Sequence, residues 1–239
     1  MARCNPLLLL QAAVVALLGC RSLPPVGQTP QQLDNKLAYW LYLPDDYYSK
    51  PRQRWPLLLF LHGAGERGTN LTLVLKHGPP KLAHEGRKFP FIIVSPQCPT
   101  NQWWSPTELT RLLDHLTRRY RVDNERVYLT GLSMGGYGTW ALAAAHPERF
   151  AAIAPICGGG DTTSAHRLRE LPIWVFHGAK DKTVPVEKSI QMVEAIKAAG
   201  GNVRLTIYPD VAHDSWTQTY ENPEFYDWLL SHRRRPIRR

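Results

Sequence analysis

The chain has 239 residues, 44% of them hydrophobic, enough for one sizeable core and one domain. Its formal charge of +9 points to nucleic acid or an anionic surface only until its position is read. Six of the positive charges are Arg3 and the tail residues Arg233, Arg234, Arg235, Arg238 and Arg239, and setting them aside leaves +3. No nucleic-acid-binding module is visible, and the tail, residues 233–239, reads as a solvated basic end.

The N-terminus differs in kind from the rest. Arg3, an apolar run from Leu7 to Leu18 and then Leu17-Leu18-Gly19-Cys20 describe a lipoprotein-type signal over residues 1–19, cleaved ahead of a lipidated Cys20. The run is too short for a comfortable membrane span. This reading predicts a bacterial envelope protein, anchored to a membrane through lipid and facing the periplasm or the exterior. Residues 20–33, proline-bearing and without apolar periodicity, read as the tether, and residues 34–232 as the catalytic domain.

Downstream, short apolar runs alternate with helical patterns, which predicts an α/β fold with a mostly parallel sheet and helices on both faces. Leu57-Leu58-Leu59-Phe60-Leu61 is a buried strand running into His62-Gly63-Ala64-Gly65, a glycine-rich turn. Phe91 to Ser95 is another strand, and Trp103 and Trp104 lie in the polar loop beyond it, where open parallel sheets bind ligands. Ser105-Pro106-Thr107-Glu108 is a capping box that opens a helix carrying Leu109, Leu112, Leu113, Leu116 and Tyr120 on one face.

The most telling stretch follows. Val127-Tyr128-Leu129-Thr130 runs into Gly131-Leu132-Ser133-Met134-Gly135 and then an alanine-rich helix, the strand–turn–helix context of a nucleophile elbow. A serine hydroxyl is a poor nucleophile unless it is exposed at a sharp turn where a base can take its proton. Chemistry of this kind needs an acid and then a histidine, each just past a later strand. Ile173 to His177 is a buried strand, and Asp181 lies past its carboxyl end. Val203 to Tyr208 alternates as a strand, and His213 follows it. Asp161, Asp210 and Asp214 are the rival acids. The N–H groups of Met134 and Ala64 are the expected oxyanion donors, with His62 bracing the turn that carries Ala64.

These residues carry a resemblance. His62-Gly63-Ala64-Gly65-Glu66-Arg67-Gly68, Pro96-Gln97-Cys98-Pro99, Gly131 to Gly136, Pro155-Ile156-Cys157-Gly158-Gly159 and His177-Gly178-Ala179-Lys180-Asp181 resemble the α/β-hydrolase group often labelled predicted peptidases. That group is similar to bacterial feruloyl and acetylxylan esterases, polyhydroxybutyrate depolymerases and the phospholipase/carboxylesterase family. The resemblance spans about residues 34 to 232 and implies a serine hydrolase that needs no cofactor and no metal.

Residues 157–171, where such enzymes commonly insert a lid, are too few for a helical cap. An open site argues against a lipase for long chains and for a small-molecule or polysaccharide-linked ester. Trp103, Trp104 and Trp216 are candidate stacking surfaces for a sugar or an aromatic acyl group. A serine peptidase on small or unstructured peptides stays open as the alternative; a binding protein without turnover is disfavoured because all three triad members are present. Sheet order argues against a Cys98–Cys157 bridge, their strands standing roughly 14 Å apart unless the loops fold back. No metal-ligand spacing such as C-x-x-C or H-E-x-x-H occurs.

Overall fold

The computed structural model describes residues 24–34 and 36–234. Among the described residues eight strands form one sheet: β1 (Gly27–Leu33), β2 (Leu37–Leu43), β3 (Trp55–Leu61), β4 (Ile92–Pro96), β5 (Val122–Leu132), β6 (Ala152–Ile156), β7 (Ile173–Gly178) and β8 (Val203–Tyr208). Their order is β1-β2-β4-β3-β5-β6-β7-β8. The first two strands pair antiparallel, β2 is antiparallel to β4, and the rest are parallel. After β4 the chain crosses to the far side of β3 to lay down β5. The loops leaving β3 and β5 therefore diverge, which opens a crevice at their carboxyl ends.

Parallel strands buried on both faces need apolar side chains at every position, and β3, β4, β6 and β7 are buried throughout. Alternate residues serve opposite faces. Leu57, Leu59 and Leu61 join a core covered by α2 (Pro106–Arg119), α3 (Met134–Ala145) and α4 (Glu187–Ala198), whereas Leu58 and Phe60 join a second core with Tyr220, Phe225 and Leu229. The helices on that second face are α1 (Gly78–His84), α5 (Trp216–Glu221) and α6 (Pro223–Leu230). Ser105 caps α2 by accepting from the Glu108 N–H at 3.4 Å, Pro106 takes its first position, and Leu109, Leu112, Leu113 and Leu116 are its buried stripe. Truncating any of these leucines to alanine costs about 2–5 kcal/mol.

Two expectations at the ends need correction. The tether does not run to residue 33, because Gly27–Leu33 is β1, paired along its length with β2. Its polar sequence hides a strand, and Pro30 is tolerated because β1 is an edge with one partner. Nor is the tail wholly solvated: Arg233 reaches Asp123 at 3.2 Å and Glu125 at 3.0 Å, and the Arg234 N–H donates to the Glu125 carbonyl at 2.7 Å. The signal, Cys20 and residues 235–239 lie outside the described residues. Among the described residues no helix is long and apolar enough to cross a membrane.

Candidate active site

Ser133 stands between β5 and α3 with φ 53° and ψ −117°, a positive φ that a non-glycine residue adopts only where its surroundings enforce it. The enforcement comes from close backbone packing. A Cβ on Gly135 would lie 2.0 Å from the Leu61 carbonyl oxygen, and one on Gly131 would lie 2.4 Å from the Gly135 oxygen. Only glycine lets the turn fold this tightly against β3. The Ser133 N–H donates to the Ile156 carbonyl at 3.0 Å, tying the elbow to β6.

His213 arrives from the loop after β8 and Asp181 from the loop after β7. These loops are stitched together by Ala179 N–H to Tyr208 O at 2.9 Å and Lys180 N–H to Val211 O at 2.9 Å. Gly178 permits the contact, since a Cβ there would sit 2.1 Å from the Ala212 oxygen. His213 Nδ1 lies 2.7 Å from Asp181 Oδ2, and His213 Nε2 lies 3.0 Å from Ser133 Oγ. A carboxylate at Nδ1 fixes the proton there and leaves Nε2 to accept from the serine.

Asp181 is held for that role. Its Oδ1 accepts from the Thr183 and Val184 N–H groups at 2.8 and 2.9 Å. Burial pushes the carboxyl pKa up, but the His213 hydrogen bond and those two N–H donors outweigh it, and the net shift is downward. The rival acids are committed elsewhere. Asp161 and Asp214 cap turns through Thr163 and Thr217, and Asp210 pairs with Lys180 at 2.7 Å.

The loop after β3 lies over the nucleophile. A Cβ on Gly63 would meet Leu132 Cδ1 at 2.9 Å and Ser133 Cβ at 3.7 Å, so the turn that begins at Ala64 runs against the elbow whose helix begins at Met134. His62 braces it from within. Its Nδ1–H donates to the Gly63 carbonyl at 2.6 Å and its Nε2 accepts from the Cys98 N–H at 2.9 Å. The ring is 1% exposed, and burial drives its pKa down to about 4.

The three tryptophans separate. Trp104 is 8% exposed, its ring 4.8 Å from that of His62 and its N–H donated to the His62 carbonyl at 3.1 Å. That bond makes it a second brace of the turn after β3, and its ring also lines the cleft that Trp103 borders. Trp216 is likewise buried, edge-on to His213 at 5.2 Å and to His77 at 5.4 Å, and packs the wall of the site. Trp103 keeps its face, at 64% exposed, with Tyr137 6.0 Å away. The two rings line a cleft of ≈ 480 Å³ that continues along α3 to Asp161 and Ser164. Tyr137, one turn beyond Ser133, brings that cleft beside the elbow, a contribution the alanine-rich stretch did not signal. The segment after β6 holds one 3-10 turn, Thr162–Leu168, with Ala165 and Leu168 buried, and leaves the cleft open.

Cys157, beside the elbow with φ 40°, has its sulfur within 4.8 Å of ligand atoms of Asp181 and His213. That trio has metal-ligand chemistry on paper. Burial pushes the thiol up to about 12, however, and Asp181 and His213 spend their facing atoms on each other, so the cluster suits proton transfer better than cation binding. Cys98 and Cys157 are both free thiols, three strands apart as the sheet order requires.

Residues 104–226 match the dienelactone hydrolase family. The chain is 31% identical over 133 residues to a bifunctional acetylxylan esterase/xylanase of Neocallimastix patriciarum, covering 53% of this chain and 19% of that protein. Against an endo-1,4-beta-xylanase/feruloyl esterase of Xylanibacter ruminicola it is 26% identical over 202 residues, covering 76% of this chain and 28% of the other. The crystal structure of a thermostable esterase superposes with a TM-score of 0.74 at 36% identity, over 87% of this chain and 63% of that one. The chain thus spans less than a third of these two relatives.

Proposed function

Because the chain belongs to the dienelactone hydrolase family, we propose that it is a serine-dependent carboxylic ester hydrolase acting on short-chain or aromatic acyl esters. The observation that carries this reading is the hydrogen-bonded run from Ser133 Oγ through His213 to Asp181, at 3.0 and 2.7 Å, at the carboxyl ends of three parallel strands. Ser133 Oγ attacks the ester carbonyl as His213 Nε2 takes its proton. The oxyanion forms against the N–H groups of Met134 and Ala64, while Asp181 stabilises the imidazolium. His213 then protonates the departing alcohol, and water, deprotonated by the same nitrogen, clears the acyl-enzyme.

The short segment after β6, without a helical cap, leaves the cleft open and supports small or polymer-borne esters. Relatives named for acetylxylan and feruloyl ester cleavage support an ester borne on a polysaccharide as the substrate class. The decisive experiment is Ser133→Ala assayed on p-nitrophenyl acetate. The expected loss in kcat is roughly 10⁴-fold or more, and a purified, folded variant with near wild-type rate overturns the assignment.

The cellular address is a separate proposal resting on Leu17-Leu18-Gly19-Cys20. Expressed in a bacterium, the protein should partition with membranes and incorporate labelled palmitate, and Cys20→Ala should abolish the label. A soluble, unlabelled wild-type product refutes the anchor and leaves the chemistry standing.

A further inference from the structure

One more titratable side chain touches the triad. His177 is the penultimate residue of β7, is fully buried, and places Nε2 3.2 Å from Asp181 Oδ2 and 2.8 Å from the Val184 carbonyl. Both partners are acceptors, the one a carboxylate and the other a carbonyl, so Nε2 carries a proton whatever the charge on the ring. On the other side Nδ1 lies 2.7 Å from Ser189 Oγ of α4, which in turn reaches the Gly158 carbonyl at 3.0 Å. The ring is thus clamped between α4 and the acid loop. Asp181 Oδ2, the oxygen that His213 uses at 2.7 Å, also faces His177 Nε2 across 3.2 Å, while the Nε2–H itself is donated to the Val184 carbonyl of the same acid loop.

We propose that His177 is a positioning residue for the acid: its Nε2–H, donated to the Val184 carbonyl, holds the acid loop in register with His213, and the positive edge it presents to Asp181 restrains how strongly that carboxylate holds the His213 proton. The proposal rests on the triad reading above. A positive N–H edge beside a carboxylate oxygen stabilises its charge, so the oxygen pulls less on the proton it accepts from His213. With His177 absent, Oδ2 would hold the His213 Nδ1–H more tightly. The imidazolium would persist to higher pH, and the acid loop would lose one anchor of its orientation.

The other titratable groups around Asp181 come from the loop after β6, from α3, from the acid loop and from α4. Cys157, in the loop after β6, is pushed up to about 12 by burial, with Asp214 near it. Burial also raises the Tyr137 phenol of α3 above its ordinary 10. Lys182, Glu187 and Lys188, in the acid loop and α4, are exposed.

Two amides separate positioning from packing. In His177→Gln the carboxamide nitrogen falls near the ring Nε2 and keeps a donor for Val184 beside Asp181. In His177→Asn it falls near Nδ1, keeping the Ser189 partner and losing the one to the acid loop. On p-nitrophenyl acetate, His177→Asn should lower kcat roughly tenfold to a hundredfold with KM within about twofold. It should also move the acid limb of the kcat/KM profile up by roughly half a pH unit. His177→Gln should stay within about threefold of wild type, its limb in place.

Equal defects in the two amides, or an unmoved limb in His177→Asn, overturn the proposal. Ser189→Ala, which frees Nδ1 without touching the acid, keeps the question decidable if His177→Asn does not fold: kcat should fall severalfold with the limb displaced the same way, and wild-type values count against the clamp. Failure of the triad itself is read separately, as retained turnover in Ser133→Ala.

Discussion

Acidification should destabilise this protein through His62, beginning above the range where carboxylates protonate. The ring is neutral when folded because both nitrogens are spent, Nδ1–H on the Gly63 carbonyl and Nε2 on the Cys98 N–H. Protonating Nε2 would set two donors against each other inside the turn after β3. Burial is the larger cause of the depressed pKa, with the charge of Arg67 adding to it and the bond to Gly63 opposing, and the folded value is about 4 against an ordinary 6.5. Between those values the unfolded chain binds the proton and the folded one does not. The contribution of His62 is therefore complete above pH 6.5 and is lost as pH falls towards 4. From pH 7.5 to 4.5 this is about 2.5 kcal/mol, a large part of a typical stability of 5–15 kcal/mol. Urea unfolding of wild type and His62→Asn at steps across that range isolates it, because subtracting the two curves removes the other titrating groups. The wild-type curve should fall more steeply by that amount. Parallel curves would refute the reasoning, and would mean that Glu66, whose Oε2 stands 4.0 Å from Nδ1, carries the imidazolium as an ion pair.

Asp181→Asn should reduce kcat by roughly 10³- to 10⁴-fold, whereas Asp161→Asn, Asp210→Asn and Asp214→Asn should each stay within a few-fold; if Asp181→Asn is the mildest of the four, the acid is misassigned. Gly135→Ala forces a Cβ to within 2.0 Å of the Leu61 oxygen and should cost about 3 kcal/mol or more, lowering Tm by roughly 10 °C; an unchanged melting curve would contradict the packing of the elbow. Trp103→Ala should cut kcat/KM for methyl ferulate relative to p-nitrophenyl acetate by about 2- to 12-fold, the equivalent of about 0.5–1.5 kcal/mol of aromatic contact. In the same wild-type panel acetate and butyrate esters should exceed palmitate and far exceed peptide p-nitroanilides, and comparable rates on the anilides would favour a peptidase instead.

The parts of this molecule legible in its sequence are those where local chemistry and backbone demand coincide. Gly131 and Gly135 announce the elbow because no other residue fits against Leu61, and the position of Asp181 after an apolar strand is legible because the loops after parallel strands all open on one edge of the sheet. Where a side chain's role is set by what lies across the fold, the sequence is silent. Trp103 and Trp104 are adjacent in one polar loop and look equivalent, yet one is 64% exposed and the other is spent on the His62 carbonyl, a partner 42 residues away. β1 was hidden for a related reason: an edge strand with one face in solvent needs no apolar run, and its register comes from β2. His177 shows the limit most sharply. At the end of a buried strand it reads as core, and only the approach of Ser189, Val184 and Asp181 gives each ring nitrogen its partner. Buried polar side chains seldom survive without such partners, so a histidine at the end of an apolar strand, four residues before the acid, was itself a signal. What it lacked was the position of α4, which a one-dimensional pattern does not contain.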